Sequence, residues 1–108
     1  MDPFHVKSEV YKLLGDKNRL MILALLKEAD LCVCEIVGIM HMSQPNVSQH
    51  MRKLKTGGLV SETKKGQWVI YSLQVEDKPF VLFALNDLPN VKSKIIELES
   101  KGLRVSCS

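Results

Sequence analysis

Hydrophobic residues recur along most of the chain at the three- and four-residue spacing of amphipathic helices. A first stripe, containing Val6, Val10, Leu13 and Leu14, predicts a helix over residues 4 to 14. Gly15 ends it, and Asp16 is a candidate N-cap for a second helix that reaches about Ala29. The second helix is apolar on nearly every side between residues 20 and 26, so we expect it at the centre of the core.

A third, short helix is predicted to end near His41, with Ile36, Val37 and Met40 on its apolar face. Only two residues separate it from a fourth helix, predicted over residues 43 to 56. Two helices joined by so short a turn form a helix-turn-helix, whose second helix enters the major groove of DNA.

The fourth helix has a narrow apolar stripe of Val47, Met51 and Leu54, only wide enough to seat it on a core. Ser43 suits the N-cap and Pro45 the first turn. An ordinary surface helix is the alternative, but such helices carry mainly Glu and Lys. Here the outer face has amides and hydroxyls suited to base edges, followed by cations suited to phosphates. We expect the following residues to contact DNA: Ser43, Gln44, Asn46, Ser48, Gln49, Arg52 and Lys53.

Beyond Gly58 the apolar period changes from 3.6 to 2, which predicts strands over about residues 59 to 63 and 68 to 73. The connection between them contains Lys64 and Lys65, so the hairpin has a basic tip that we expect to meet phosphates. Alternation predicts two faces for the second strand: Val69, Tyr71 and Leu73 toward the core, and Trp68 and Ile70 on the other side.

Residues 78 to 100 predict two more helices, which Pro89 separates or kinks. The first has an apolar stripe, and Asn90 is a candidate cap for the second. The apolar residues are Phe80, Phe83, Ala84 and Leu88 in the first helix, and Val91, Ile95 and Leu98 in the second. With residues 4 to 14, this is more apolar surface than one small core needs, which predicts a homodimer built on these helices. The alternative is that they only cover the monomer.

Composition indicates one globular domain, because 108 residues with 45% hydrophobic and 25% charged side chains resemble neither a disordered nor a repetitive chain. The longest apolar run is too short to span a bilayer and no signal peptide is visible, so we expect a cytoplasmic protein without a membrane partner. Three cysteines do not make a disulfide framework, so reduced thiols are expected. Residues 101 to 108 are expected to form a flexible tail.

The net charge of +3 is unevenly distributed. Residues 43 to 73 hold five basic residues and one acidic residue, a local charge of +4, and the rest of the chain has −1. A solvated basic face would give the same count. Its position on the fourth helix and the hairpin nevertheless matches a nucleic-acid footprint.

These elements predict a mainly α fold with a small β-hairpin, a winged helix-turn-helix. Several segments, in this order, resemble the ArsR/SmtB family of metalloregulatory repressors. They are LGDKNRLMIL (14 to 23), DLCVCEI (30 to 36), SQPNVSQHMRKL (43 to 54), GLV (58 to 60) and YSL (71 to 73). The resemblance implies a homodimeric repressor of a metal or metalloid resistance operon, released from operator DNA by its inducer.

Cys32 and Cys34 lie where that family has its metal site. Two thiols around one Val form a soft donor pair suited to As(III) or Sb(III). Residues i and i+2 are about 200° apart on a regular helix, so we expect chelation to distort the start of the third helix. Two small buried hydrophobic side chains are the alternative.

Departures from the family pattern narrow the inducer. Residues 1 to 15 contain no Cys, unlike relatives that bind cadmium or lead with four thiolates, and residues 91 to 100 lack the His and Asp of zinc sensors. Val37 stands where some arsenic sensors have a third thiol. Cys107 is the remaining candidate third ligand, with solvent or a small thiol as the alternative. The histidines are dispersed and expected to be surface or packing residues: His5, His41 and His50.

The sequence therefore predicts a dimeric repressor that binds an inverted-repeat operator in double-stranded DNA and leaves it when As(III) or Sb(III) binds Cys32 and Cys34. No phosphate-binding loop or nucleophile, base and acid set is visible, so an enzyme is not expected. A redox- or sulfide-responsive repressor using the same cysteines, and a metal carrier without a DNA role, remain as alternatives.

Overall fold

The computed structural model describes residues 2–102. In this part of the chain, six helices accompany one antiparallel sheet with the strand order β1-β3-β2. The elements are α1 (Pro3–Leu14), α2 (Lys17–Glu28), β1 (Leu31–Cys32), α3 (Val33–Met40), α4 (Gln44–Thr56), β2 (Val60–Lys65), β3 (Trp68–Leu73), α5 (Pro79–Asn86) and α6 (Lys92–Ser100). The predicted fold, mainly α with a small β-hairpin, is confirmed.

Side-chain caps begin the first two helices. Asp2 accepts a hydrogen bond from the Phe4 N–H at 2.9 Å, which begins α1 at Pro3. Asp16, the predicted cap of α2, accepts the N–H groups of Asn18 and Arg19 at 2.9 and 3.0 Å. The Arg19 N–H is the largest cause of the lowered pKa of the Asp16 carboxyl. Both helices therefore begin where a carboxylate satisfies free backbone donors.

The core is built on α2 and on the seat of α4. Ile22, Leu23 and Leu25 of α2 are fully buried, as expected for a central helix. The α4 stripe is also fully buried. Since these side chains belong to one hydrophobic cluster, α4 is fixed to the middle of the domain while its opposite face remains in solvent.

Sequence patterns missed β1, which has only two residues. Leu31 pairs with Tyr71, and Cys32 pairs with Ile70, on the edge of β3 opposite β2. Neither the length nor the alternation of so short a strand is detectable in a sequence. Its consequence is that Cys32 is joined to the hairpin through backbone pairing.

The predicted facing of β3 is wrong for two residues. Ile70 is buried, whereas Val69 is 37% exposed. Tyr71 and Leu73 are half-buried against the core, and Trp68 is half-buried. Alternation separates the two faces but does not say which one meets the core, and the pairing of Ile70 with β1 fixes that choice. In addition, β2 extends to Lys65, two residues beyond the predicted end.

The terminal helices bury narrower stripes than predicted. In α1, Val10 and Leu14 are buried but Val6 is 43% exposed, and in α5 the buried residues are Val81 and Leu85 while Phe83 is 79% exposed. Each helix contacts the core along one row of residues four apart, so side chains off that row remain in solvent. The Asn90 side chain accepts the Lys92 N–H at 2.7 Å, Val91 occupies the N-cap position, and Ile95 and Leu98 of α6 are buried.

Candidate nucleic-acid interface and metalloid site

The recognition helix, α4, is defined at both ends. The Ser43 hydroxyl accepts the Asn46 N–H at 3.3 Å, and Pro45 lies in the first turn. At the other end, Gly58 adopts a left-handed φ of 77°, which favours glycine. Of the residues predicted to contact DNA, Ser48 is half-buried and the others are exposed: Ser43, Gln44, Asn46, Gln49, Arg52 and Lys53.

A left-handed residue makes the turn before α4. His41 has a φ of 56°, and its N–H donates to the Val37 carbonyl at 2.9 Å. Such a conformation is uncommon for residues other than Gly, Asn and Asp, and it reverses the chain within a very short segment. The two-residue joint expected from the sequence therefore depends on the backbone of His41.

The hairpin is attached to the recognition helix by an ion pair. Lys55, in the last turn of α4, pairs with Glu62 of β2. Hydrogen bonds from Lys55 and then Tyr71 lower the pKa of the Glu62 carboxyl. Lys64 and Lys65 are exposed beside a turn in which Gly66 has a φ of 61°. They are thus unobstructed by their own domain and extend the positive surface beyond α4.

Cys32 and Cys34 lie at the junction of β1 and α3. Their sulfurs are 2.8 Å apart, and Cys32 is buried while Cys34 is exposed. Cys32 is the N-cap of α3, with extended backbone angles, and only Cys34 is on the helix. The expectation that a regular helix would turn the two sulfurs away from one another is therefore wrong. The unpredicted strand holds Cys32 outside the helix.

Glu35 closes a capping box with Cys32, a role that the sequence interpretation missed. Its side chain is buried and accepts the Cys32 N–H at 2.9 Å, while the Glu35 N–H faces the Cys32 sulfur. The spacing C-x-x-E follows the pattern of a capping box, with Cys in place of Ser or Thr, so a signal was present. The box fixes the first turn of α3 beneath the two thiols.

Burial raises the pKa of the Cys32 thiol to about 12, and the hydrogen bond with Cys34 adds to the shift. The Glu35 N–H acts in the opposite direction. Cys32 is therefore a protonated thiol near neutral pH, and a ligand that binds there must displace or carry away its proton.

The described residues contain no group of three or more His, Cys, Asp and Glu side chains arranged to hold a metal ion. Cys107 lies outside the described residues. Val37 is half-buried, and the histidines belong to three different places: His5 to α1, His41 to the turn and His50 to α4. The structure thus brings together two of the three predicted sulfur ligands.

Within residues 2–102, no helix is both long and apolar enough to cross a membrane.

Comparison with known proteins agrees with this architecture. Residues 16–62 match the family described as "Bacterial regulatory protein, arsR family". The chain is 38% identical over 88 residues to the uncharacterized HTH-type transcriptional regulator MJ1325 of Methanocaldococcus jannaschii, which covers 81% of this chain and 98% of that protein. It is 41% identical over 68 residues to the arsenic resistance transcriptional regulator ArsR1 of Pseudomonas putida, covering 62% of this chain. That match spans only 53% of ArsR1, about half its length.

A solved structure shares the fold. The homodimeric winged helix-turn-helix DNA-binding domain of Mb0332 from Mycobacterium bovis superposes with a TM-score of 0.66 and 30% sequence identity, over 76% of this chain and 75% of that one. The predicted winged helix-turn-helix and the predicted family resemblance are therefore confirmed. The chain belongs to the ArsR family, whose members are DNA-binding transcriptional regulators and not enzymes.

Proposed function

We propose that this protein is a homodimeric repressor that binds an inverted-repeat operator and leaves it when As(III) or Sb(III) binds Cys32 and Cys34. The observation that carries the proposal is the 2.8 Å contact between the two sulfurs at the start of α3. The other end of α3 leads through His41 into the recognition helix. A ligand that moves the sulfurs therefore acts one short helix away from the DNA-binding surface.

The DNA side of the proposal is supported by the exposed face of α4. Amide side chains such as Gln44, Asn46 and Gln49 can donate to and accept from base edges, and Arg52 and Lys53 can meet phosphates. Two such helices related by a dimer axis would lie about one turn of DNA apart. An operator for this arrangement is an inverted repeat, because the two half-sites follow the symmetry of the protein.

Exposed aromatic side chains on α1 and α5 support the dimer. Phe4 is 87% exposed and Phe83 is 79% exposed. The rings of Tyr11 in α1 and Phe80 in α5 are 5.4 Å apart, so these two helices are neighbours on one side of the domain. Apolar surface of this kind is typical of a protein interface, and α1 and α5 are within the segments predicted to form it.

The protonation of the site favours a neutral metalloid over a divalent cation. In water As(III) is the uncharged hydroxide, and each As–S bond replaces an As–OH bond while the thiol proton leaves with the hydroxide as water. A divalent cation must instead bind thiolates, and the raised pKa of Cys32 makes its thiolate costly. Sb(III) shares this chemistry, which supports the metalloid pair as inducers.

We propose Cys107 as the third sulfur ligand. Lys94 shares a cleft with residues 39 to 41, and the Leu98 side chain lies against Gly38. Successive turns of α6 therefore contact earlier residues of α3, so the two helices are antiparallel and α6 ends toward Cys34. Five residues link Gly102 to Cys107, a reach of up to about 17 Å. A hydroxide or a small thiol is the alternative third ligand.

Release follows if the metalloid prefers a changed geometry of this junction. Thiolates on one zinc-sized ion lie about 3 to 4 Å apart, so the sulfurs must separate from their 2.8 Å contact. Moving Cys32 strains its pairing with Ile70 in β3 and its bond to Glu35 in α3. Both elements lead to the DNA surface, and a coupling of about 2 to 3 kcal/mol would weaken operator binding about thirty- to more than a hundred-fold.

The test is a titration of the operator complex with As(III), Sb(III), Cd(II) and Zn(II), followed by fluorescence anisotropy. Cys32→Ser and Cys34→Ser should bind the operator like the wild type and fail to release it with As(III) or Sb(III). Cys107→Ser should release it at a higher metalloid concentration. Ser106→Ala is the matched control for the same segment, and it should behave as the wild type.

Two outcomes would contradict the proposal. If As(III) leaves the wild-type complex intact while Zn(II) releases it, the metalloid assignment is wrong although the DNA-binding assignment stands. If no DNA fragment carrying an inverted repeat is bound in any state, the alternative of a metal carrier without a DNA role is favoured.

The sulfur contact also favours a second candidate, a redox-responsive repressor. A peroxide could oxidise the two thiols to a disulfide, with both protons and both oxygens leaving as two molecules of water. The buried thiol of Cys32 disfavours this reaction, because the thiolate is the reacting species. Release of the operator by peroxide but not by As(III), reversed by dithiothreitol, would establish this alternative.

A further inference from the structure

The recognition helix carries its lysines and arginine only toward its C-terminal end. Residues 44 to 51 contain none, whereas Arg52, Lys53 and Lys55 follow. Lys55 is already paired with Glu62. A helix in the major groove lies between two phosphate backbones, so its N-terminal end also approaches phosphates. Cations for that end must come from other elements.

A cleft beside the helix-turn-helix turn brings such cations together. It has a volume of about 290 Å³ and lies between the start of α2, the end of α3 and the first turn of α6. Lys17 lines it from α2, Lys94 from α6 and His41 from the turn, and Asn18 adds an amide. All of these groups can donate to a phosphate oxygen.

The position of His41 connects the cleft with the DNA surface. His41 precedes the α4 cap, Ser43, by two residues, and its left-handed backbone directs the chain into α4. The side chain of His41 is exposed. The cleft therefore opens beside the first turn of the recognition helix and not beside the hairpin.

Nearby carboxylates have partners of their own. Asp16 precedes Lys17 but accepts the N–H groups of Asn18 and Arg19. Glu97 follows Lys94 by one turn of α6 and pairs with Lys101 at 3.0 Å. None of the ion pairs within 4.0 Å in the described part of the chain involves Lys17 or Lys94. The two ammonium groups remain available to an anion.

We infer that the cleft of Lys17, His41 and Lys94 binds a phosphate of the DNA backbone beside the N-terminal end of α4. The inference rests on the proposed entry of α4 into the major groove. Such a contact positions the helix along its groove and contributes affinity without sequence preference. It would complement Arg52 and Lys53 at the opposite end of the same helix.

The test compares two double variants with the same change in charge. Lys17→Ala with Lys94→Ala removes the cations of the cleft. Lys27→Ala with Lys92→Ala removes one lysine from each of the same two helices outside it. Operator binding by the full-length dimer is measured by anisotropy over a range of KCl concentrations, with circular dichroism to verify folding.

We expect the cleft variant to lower the slope of log K against log salt by about 0.9 for each phosphate lost, about 1.8 for a dimer. Affinity for unrelated DNA should fall by the same factor as affinity for the operator. The control should keep the wild-type slope.

Equal slopes in the two double variants would overturn the inference, because the effect would then come from net charge alone. Unchanged binding by the cleft variant would also overturn it. Neither result affects the proposed function, which fails separately if the wild type does not bind the operator or does not respond to metalloid.

Discussion

The recognition helix and the cysteine junction are positioned by different kinds of interaction. The cap, apolar stripe and stop of α4 all lie within the segment from Ser43 to Gly58. Cys32 is instead positioned by a distant strand, through its pairing with Ile70, and by Glu35 at the start of the next helix. The surface that would bind DNA is locally encoded, whereas the junction that would bind metalloid depends on two elements at once. A ligand at Cys32 can therefore act on the hairpin and on the helix-turn-helix together.

The largest expected effect concerns the junction. Glu35→Ala should lower the free energy of unfolding by about 1 to 3 kcal/mol, because it leaves the buried Cys32 N–H without its acceptor. Urea denaturation at pH 7 measures this loss.

Glu35→Gln is the matched control for that variant. Its side-chain oxygen can still accept the Cys32 N–H, so it should recover most of the lost stability. Equal losses in the two variants would show that the charge of Glu35, and not its hydrogen bond, stabilises the junction.

The same contrast explains what the sequence could predict. Ser43, Val47 and Met51 follow local rules of capping and helical periodicity, so the start and the buried face of α4 were predictable. Asp16 allowed the same for α2. By contrast, β1 has two residues and no periodicity of its own, and its pairing with β3 depends on the folded sheet. That one omission produced the wrong facing of Val69 and Ile70.

It also produced the wrong geometry for the cysteines. Treating both residues as helical gave two diverging sulfurs, but the extended backbone of Cys32 places its sulfur against that of Cys34. The chemistry of the pair followed from residue type alone, because two close thiols suit a soft ion wherever the backbone carries them. The lysines of the cleft could not be found from the sequence, since Lys17 and Lys94 meet only through tertiary packing.

A smaller effect is expected at the locally encoded helix. Ser43→Ala should destabilise the protein by about 0.5 to 2 kcal/mol, because the Asn46 N–H loses its cap. Ser43→Asp is the control that restores an acceptor. Since both variants change the exposed start of α4, thermal unfolding without DNA separates the capping effect from any loss of a DNA contact. An unchanged midpoint for Ser43→Ala would show that backbone preference alone starts this helix.

The smallest effect is a pH dependence that begins only in alkali. Burial raises the pKa of Cys32 from its ordinary value of 9.0 to about 12 in the folded protein. Below pH 9 the thiol is protonated in both states, so its ionisation does not change stability. Above pH 9 the unfolded chain loses this proton first and binds fewer protons than the folded protein, so stability falls as pH rises toward 12.

This loss should be measured against Cys32→Ala, because Tyr71, whose pKa burial also raises, contributes in both proteins and cancels in the difference. With a reductant present, urea midpoints from pH 7.5 to 10.5 should decline more steeply for the wild type than for the variant. Parallel curves would mean that Cys32 ionises equally easily in the folded protein. The junction would then be open to water, and the preference for a neutral metalloid over a divalent cation would lose its physical basis.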